Sequence, residues 1–140
     1  MKQQLTEPLG ELAIRTTAMP ADTNSNGDVF GGWIMSQMDI AGGVSATEIT
    51  KERIVTVAVD CMRFWNSVNV GDVLCVYSKL HRIGTTSIAF LINAWAVDRL
   101  SDKKRHLVTE AVFTYVVIDK NSRPVSINSV YKEEALARLK

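Results

Sequence analysis

The chain has 140 residues, 46% hydrophobic and 22% charged, and its 16 Lys plus Arg nearly balance 15 Asp plus Glu for a formal net charge of +1. That length predicts one domain over residues 1–140 with a single core, and the balanced charge argues against the cation-rich face that nucleic acid demands. No stretch approaches the roughly 20 apolar residues of a membrane span and residues 1–8 carry no signal-peptide run, so the expectation is a cytoplasmic protein without a membrane partner.

In chain order, residues 11–19 predict a short strand ended by Pro20, and 22–28 a polar turn. Residues 31–50 predict a long helix with Asn26 or Asp28 near its N-cap. Because Trp33, Ile34, Met35, Met38, Ile40, Ala41, Val44 and Ile49 fall on all its sides, the helix should be enclosed. Gly42 and Gly43 in its middle lower helix propensity, which is tolerable where something packs close against the backbone. The period then changes to two, and 54–64, 73–83, 86–97 and 107–118 are predicted strands. Gly84 and Thr85 join the second and third of these as a hairpin, 98–105 is a longer polar connection, 119–122 a turn and 130–140 a short amphipathic helix. Cys61 and Cys75 read as small core residues in a reducing compartment. The compact solution is an α+β fold in which the sheet curls around the helix, and an open sheet edge that a second copy could continue predicts a homodimer.

Asp39 is a lone carboxylate in the otherwise apolar stretch 30–44. An unpaired charge in such surroundings is expensive, so one that persists is more often chemical than structural. The turn Asp22-Thr23-Asn24-Ser25-Asn26-Gly27 matches the first half of a calcium loop, but Trp33 stands where the bidentate Glu is required. It reads instead as a turn that presents free backbone N–H groups at the positive end of the helix dipole, where a developing negative charge can be held. Gly32 and Asp39 are seven positions apart, close to two turns or about 10.5 Å along the axis. One chain therefore does not bring both to one carbonyl, whereas two antiparallel helices in a dimer place Asp39 of one subunit near Asn24 and Gly32 of the other. His81 and His106 fall on different predicted strands with no Cys or His nearby, so no metal site is expected, and no Gly-Lys-Ser/Thr follows the glycine pairs to make a phosphate loop.

The run Thr23-Asn24-Ser25-Asn26-Gly27-Asp28-Val29-Phe30-Gly31-Gly32-Trp33-Ile34-Met35-Ser36-Gln37-Met38-Asp39, with Val55-Thr56-Val57-Ala58-Val59, Val70-Gly71-Asp72-Val73 and Thr109-Glu110-Ala111-Val112-Phe113-Thr114, closely resembles the YciA-like acyl-CoA thioesterases of the hotdog fold. The resemblance covers residues 15–124. It implies a long central helix wrapped by a curved antiparallel five-stranded sheet, dimers that share two sites and assemble as a trimer of dimers, and hydrolysis of short- to medium-chain acyl-CoA to a free acid and CoA. It further implies that Asp39 is the catalytic carboxylate, Asn24 the polar residue facing it from the partner chain, and Gly31 and Gly32 the helix-start pair, with the Gly32 amide aimed at the thioester oxygen. Gly84, Thr85, Thr86 and Ser87 match a hairpin that contacts CoA. No cofactor is implied beyond coenzyme A as part of substrate and product.

Two departures concern the nucleotide. Relatives often carry Arg where this chain has Thr85, and a Lys-Pro pair where it has Asn66-Ser67. Arg82, Arg99 or the run Lys103-Lys104-Arg105 are the cations available to replace them. Phe64, Trp65, Trp33, Met35 and Met38 are available as walls of an acyl tunnel, with plain core as the commoner role of each. Two other functions on this fold remain open: a hydratase or dehydratase, disfavoured because no His lies in 22–45, and a non-catalytic acyl-CoA sensor, disfavoured because the tail is too short for an effector segment.

Overall fold

The structure, a computed structural model, describes residues 5–98, 100–101 and 104–139. The apolar run becomes α1 (Gly31–Thr50), and the period-two runs become β2 (Arg53–Phe64), β3 (Val73–Ile83), β4 (Ser87–Val97) and β5 (His106–Ile118). They are preceded by β1 (Glu11–Thr17) and a 3-10 turn at Pro20–Asp22, and followed by α2 (Ser129–Ala137). All strands pair antiparallel in one five-stranded sheet of order β1-β3-β4-β5-β2. The sheet is open, with β1 and β2 as its edges.

The curved sheet packs on one side of α1. Ile34, Met38, Ala41 and Ala46 of the helix join Val76, Phe90, Ile92, Phe113 and Tyr115 of the strands in the core. The other side is bare: Met35, Ile40 and Val44 are 38%, 53% and 46% exposed, so a single chain does not enclose its helix as expected. Val55, Val57 and Val59 of the edge strand β2 are also exposed. A long apolar edge beside an uncovered helix face is a surface suited to burial against another chain, which is the part of the all-round apolar pattern of α1 that one chain leaves uncovered.

Several boundaries differ from the sequence expectation for local reasons. β1 ends at Thr17 because Ala18 turns inward to donate to Asp72 O at 3.0 Å, and Met19 N donates to Asp22 Oδ2 at 3.1 Å to cap the 3-10 turn. α1 has Phe30 as its N-cap with no side-chain cap, so neither Asn26 nor Asp28 plays that part. Asn128 caps α2 by accepting from Val130 N and Tyr131 N, which moves its start to Ser129, while Lys140 lies outside the described residues. Cys75 is buried, but Cys61 is exposed and in the left-handed region at φ 59, within the register shift between Asp60 and Arg63.

Candidate active site

Asp39 sits in the third turn of α1 and is half-buried, not isolated. The Thr56 hydroxyl donates to its Oδ1 at 2.7 Å. The Tyr115 hydroxyl reaches both Oδ1, at 3.1 Å, and the Asp39 carbonyl oxygen, at 3.0 Å. Thr56 and Tyr115 are register partners on β2 and β5, so a single cross-strand pair delivers both donors. The expected unpaired carboxylate is thus corrected: the sheet supplies polar partners that local sequence does not show. Both bonds fall on Oδ1, and Oδ2 has no partner among the described residues.

Gly42 explains how Tyr115 gets there. A Cβ at this position would collide with the Tyr115 hydroxyl and ring, so the absent side chain is the space the phenol occupies. Burial, then the charge of Asp39, then the hydrogen bond to it push the Tyr115 phenol far above its ordinary value. It remains a neutral donor throughout the working pH range. The close packing expected at the glycine pair is therefore observed at Gly42, with Ile54 Cδ1 at an ordinary 3.8 Å from a Cβ at Gly43.

The start of α1 forms a second cluster. Asn24 Oδ1 accepts from Asn26 N at 2.9 Å and Asp28 N at 3.2 Å, and Gly27 N donates to Asn24 O at 3.1 Å. The asparagine so folds the turn, and its Nδ2 has no acceptor among the described residues. Beyond the turn, Gly31 lies under the Phe64 ring, 3.3 Å from where its Cβ would be, while a Cβ at Gly32 would meet nothing within 4 Å. No side chain caps this end; Trp33 N donates to Phe30 O at 3.1 Å, while the Gly31 and Gly32 amides have no acceptor among the described residues. Val29, Gly31, Ile34, Phe64, Trp65 and Val68 border a cavity of about 320 Å³ here.

Asp39 does not join this cluster within one chain. Phe64, over Gly31, pairs with Thr109, whereas Asp39 is held at Tyr115, about 20 Å further along β5. The hairpin Gly84, Thr85, Thr86 and Ser87 lies at the same end of the sheet as the Asp39 partner Tyr115, which pairs with Ile88. Its loop is tied to the tail: Ile127 N donates to Thr85 O at 2.8 Å and Lys132 Nζ to Gly84 O at 3.3 Å. Arg82 is exposed just before this loop, Lys104 and Arg105 lie at the opposite end before β5, and Arg99 and Lys103 lie outside the described residues. Each chain thus keeps two unlike clusters apart, Asp39 with its two hydroxyl donors and the polar turn at the start of α1. Among the described residues no group of three or more His, Cys, Asp or Glu could hold a metal ion.

Residues 26–102 match the family described as the thioesterase superfamily. The chain belongs to that superfamily. It is 51% identical over 119 residues to the acyl-CoA thioester hydrolase YciA of Salmonella typhimurium, covering 84% of this chain and 90% of that one. Of solved structures, a hexameric thioesterase from Yersinia pestis is 51% identical, with 88% of this chain and 99% of that one covered and a TM-score of 0.82. A hexameric broad-specificity acyl-coenzyme A thioesterase, solved as an aspartate-to-alanine mutant, is 45% identical, with 94% and 98% covered and a TM-score of 0.87. The five-stranded sheet packed on a long helix is accordingly the hotdog fold of thioesterases, as its likeness to a hexameric hotdog-fold thioesterase of Campylobacter jejuni also shows.

Proposed function

We infer that the protein is an acyl-CoA thioester hydrolase that works as a homo-oligomer, cleaving short- to medium-chain acyl-CoA to a free acid and CoA at sites shared between two subunits. The observation that carries this reading is the division of the chemistry within one chain. Asp39 has a free carboxylate oxygen but no amide cradle near it, and the helix start has the cradle but no base. Kinship with YciA and with hexameric thioesterases supports both the reaction and the assembly.

In the shared site the Gly32 amide N–H, at the positive end of α1, donates to the thioester oxygen as that oxygen gains charge in the tetrahedral state. Asp39 of the partner supplies the attacking oxygen, by taking a proton from water or by bonding to the carbonyl carbon itself. Either route breaks the C–S bond and leaves a thiolate that takes up a proton as CoA; with water as nucleophile the acid forms at once, whereas direct attack leaves a mixed anhydride on Asp39 that a water molecule hydrolyses to the free acid and the regenerated carboxylate. Asn24 Nδ2 orients that water or carboxylate, while Thr56 and Tyr115 fix Oδ1 so that Oδ2 faces the substrate. The Gly84 to Ser87 loop, with Arg82 and Lys132 nearby, holds CoA, and three such dimers form the hexamer. Incubation with a panel of acyl-CoAs and a thiol-reactive dye tests the reading. Free thiol should appear with several chain lengths, and its absence from all of them, with ligand still bound, would leave an acyl-CoA sensor instead.

A further inference from the structure

In the loop between β3 and β4, Gly84 N donates to Ser87 O at 2.7 Å and closes the turn. Its other three carbonyl oxygens are each taken by a donor from elsewhere in the chain. Lys132 Nζ reaches Gly84 O at 3.3 Å, Ile127 N donates to Thr85 O at 2.8 Å, and Val117 N donates to Thr86 O at 2.9 Å. Two of these donors belong to the C-terminal segment, where Ile127 is buried in the core and Asn128 caps α2. In a trans peptide unit, as all of these are, the N–H points opposite to the C=O. Tying Gly84 O and Thr85 O to the tail therefore turns the Thr85 and Thr86 N–H groups the other way, where they have no acceptor among the described residues. Thr85 is exposed and Thr86 half-buried. Arg82 is exposed just before the loop, and neither 81–89 nor 125–132 contains an Asp or Glu. Successive N–H donors without a competing carbonyl, in cationic surroundings, suit an anion.

We propose that the C-terminal segment is the positioning element of the CoA site: Ile127 N–H and Lys132 hold the Gly84 and Thr85 carbonyls back, so that the Thr85 and Thr86 N–H groups donate to a phosphate oxygen of CoA. The proposal rests on the thioesterase reading, in which this loop holds CoA, and adds that affinity for the nucleotide arm is set by residues as far as 48 positions from the loop. Ile127 N–H is engaged by Thr85 O and acts on the ligand only through the loop, which it fixes before the ligand arrives.

The experiment measures CoA binding by calorimetry, and kcat and KM for an acyl-CoA and for the matching acyl-pantetheine, which keeps the thioester and lacks the phosphates. Lys132→Met and Ile127→Pro each remove one tie, the second by deleting the backbone donor. Each should raise KM for acyl-CoA and Kd for CoA roughly tenfold, with kcat nearly unchanged and the acyl-pantetheine KM in place. Lys132→Arg and Ile127→Val keep their donors and should behave as the wild type. A loss confined to Lys132→Met, with Ile127→Pro folded and normal, would make Lys132 a direct ionic contact and overturn the positioning role. An equal loss with both substrates would make the tail a general support of the fold and overturn it too, as would no loss in either variant. Should Ile127→Pro misfold, the Thr85 and Thr86 amide resonances of the wild type decide: they should move with CoA and stay in place with pantetheine, and amides that ignore CoA overturn the proposal. If the wild type releases no thiol from any substrate, it is the thioesterase reading that has failed, and CoA calorimetry and the amide shifts still judge the loop.

Discussion

Tyr115 and Gly42 are fitted to one another: the phenol hydroxyl fills the space that any side chain at position 42 would need, and from that position it donates to the carbonyl and carboxylate oxygens of Asp39. The helix gives up propensity at one residue, and in return the sheet reaches the functional carboxylate directly.

Gly42→Ala tests that fit. On helix propensity alone the substitution would stabilise by about 1 kcal/mol. The collision with the Tyr115 hydroxyl reverses the sign, and overpacking of this kind costs about 1–3 kcal/mol. Denaturant unfolding should show net destabilisation and lowered turnover, with part of the loss recovered in the Gly42→Ala, Tyr115→Phe double variant. A stabilised Gly42→Ala protein of full activity would refute the fit.

Tyr115 also makes a prediction for alkaline pH. Its folded-state value is raised above the 10.0 of a free phenol by burial and by Asp39, so the stability linked to it is complete below about pH 10 and is lost as pH rises beyond, where only the unfolded chain releases the proton. Tyr115→Phe should make stability between pH 10 and 12 less steep by up to about 1.4 kcal/mol per pH unit. Parallel stability curves for the two proteins across that window would contradict the assignment.

At the carboxylate, Asp39→Asn keeps the shape and removes the attacking function, so the fold should persist while kcat drops by roughly a hundredfold or more. Thr56→Val should lower kcat less, by freeing Oδ1, and Thr56→Ser should restore it because the hydroxyl is what holds the carboxylate. Steady-state kinetics on the three folded variants checks the order.

The long helix was legible in the sequence residue for residue, since its apolar run is bounded by a turn on one side and by β-branched alternation on the other, and α1 covers 31–50 as expected. Its N-cap was not, because Asn24 uses its side-chain oxygen to draw the Asn26 and Asp28 amides into the turn and leaves Phe30 at the cap position. Asp39 could be singled out from sequence, but its partners could not. Thr56 and Tyr115 lie 17 and 76 positions away and meet it only through the β2–β5 register. Two signals pointed that way: a tyrosine in a core strand needs a partner for its hydroxyl, and a glycine amid a helix needs a close neighbour.

The bare side of α1 and the edge strand β2 carry a prediction about assembly. Val57 is 54% exposed on an edge that should pair with its counterpart in a second copy. Val57→Lys places a charge on that edge, where it opposes strand pairing. Size-exclusion chromatography should show smaller species, and activity should fall with assembly if, as proposed, each site is shared between subunits. A monomeric Val57→Lys protein with full activity would be incompatible with sites shared between subunits.

The most direct measurement of that shared site is complementation. Asn24→Ala and Asp39→Ala, each shown to be a folded dimer and inactive alone, are unfolded and refolded together so that their subunits exchange. A mixed dimer then holds one site lacking both groups and one site with both intact. Random pairing of independent sites predicts recovery of roughly a quarter of wild-type activity. Activity that stays at the level of the separate variants, while native mass spectrometry shows the mixed dimers present, would put Asn24 and Asp39 in the same subunit's site and contradict the account.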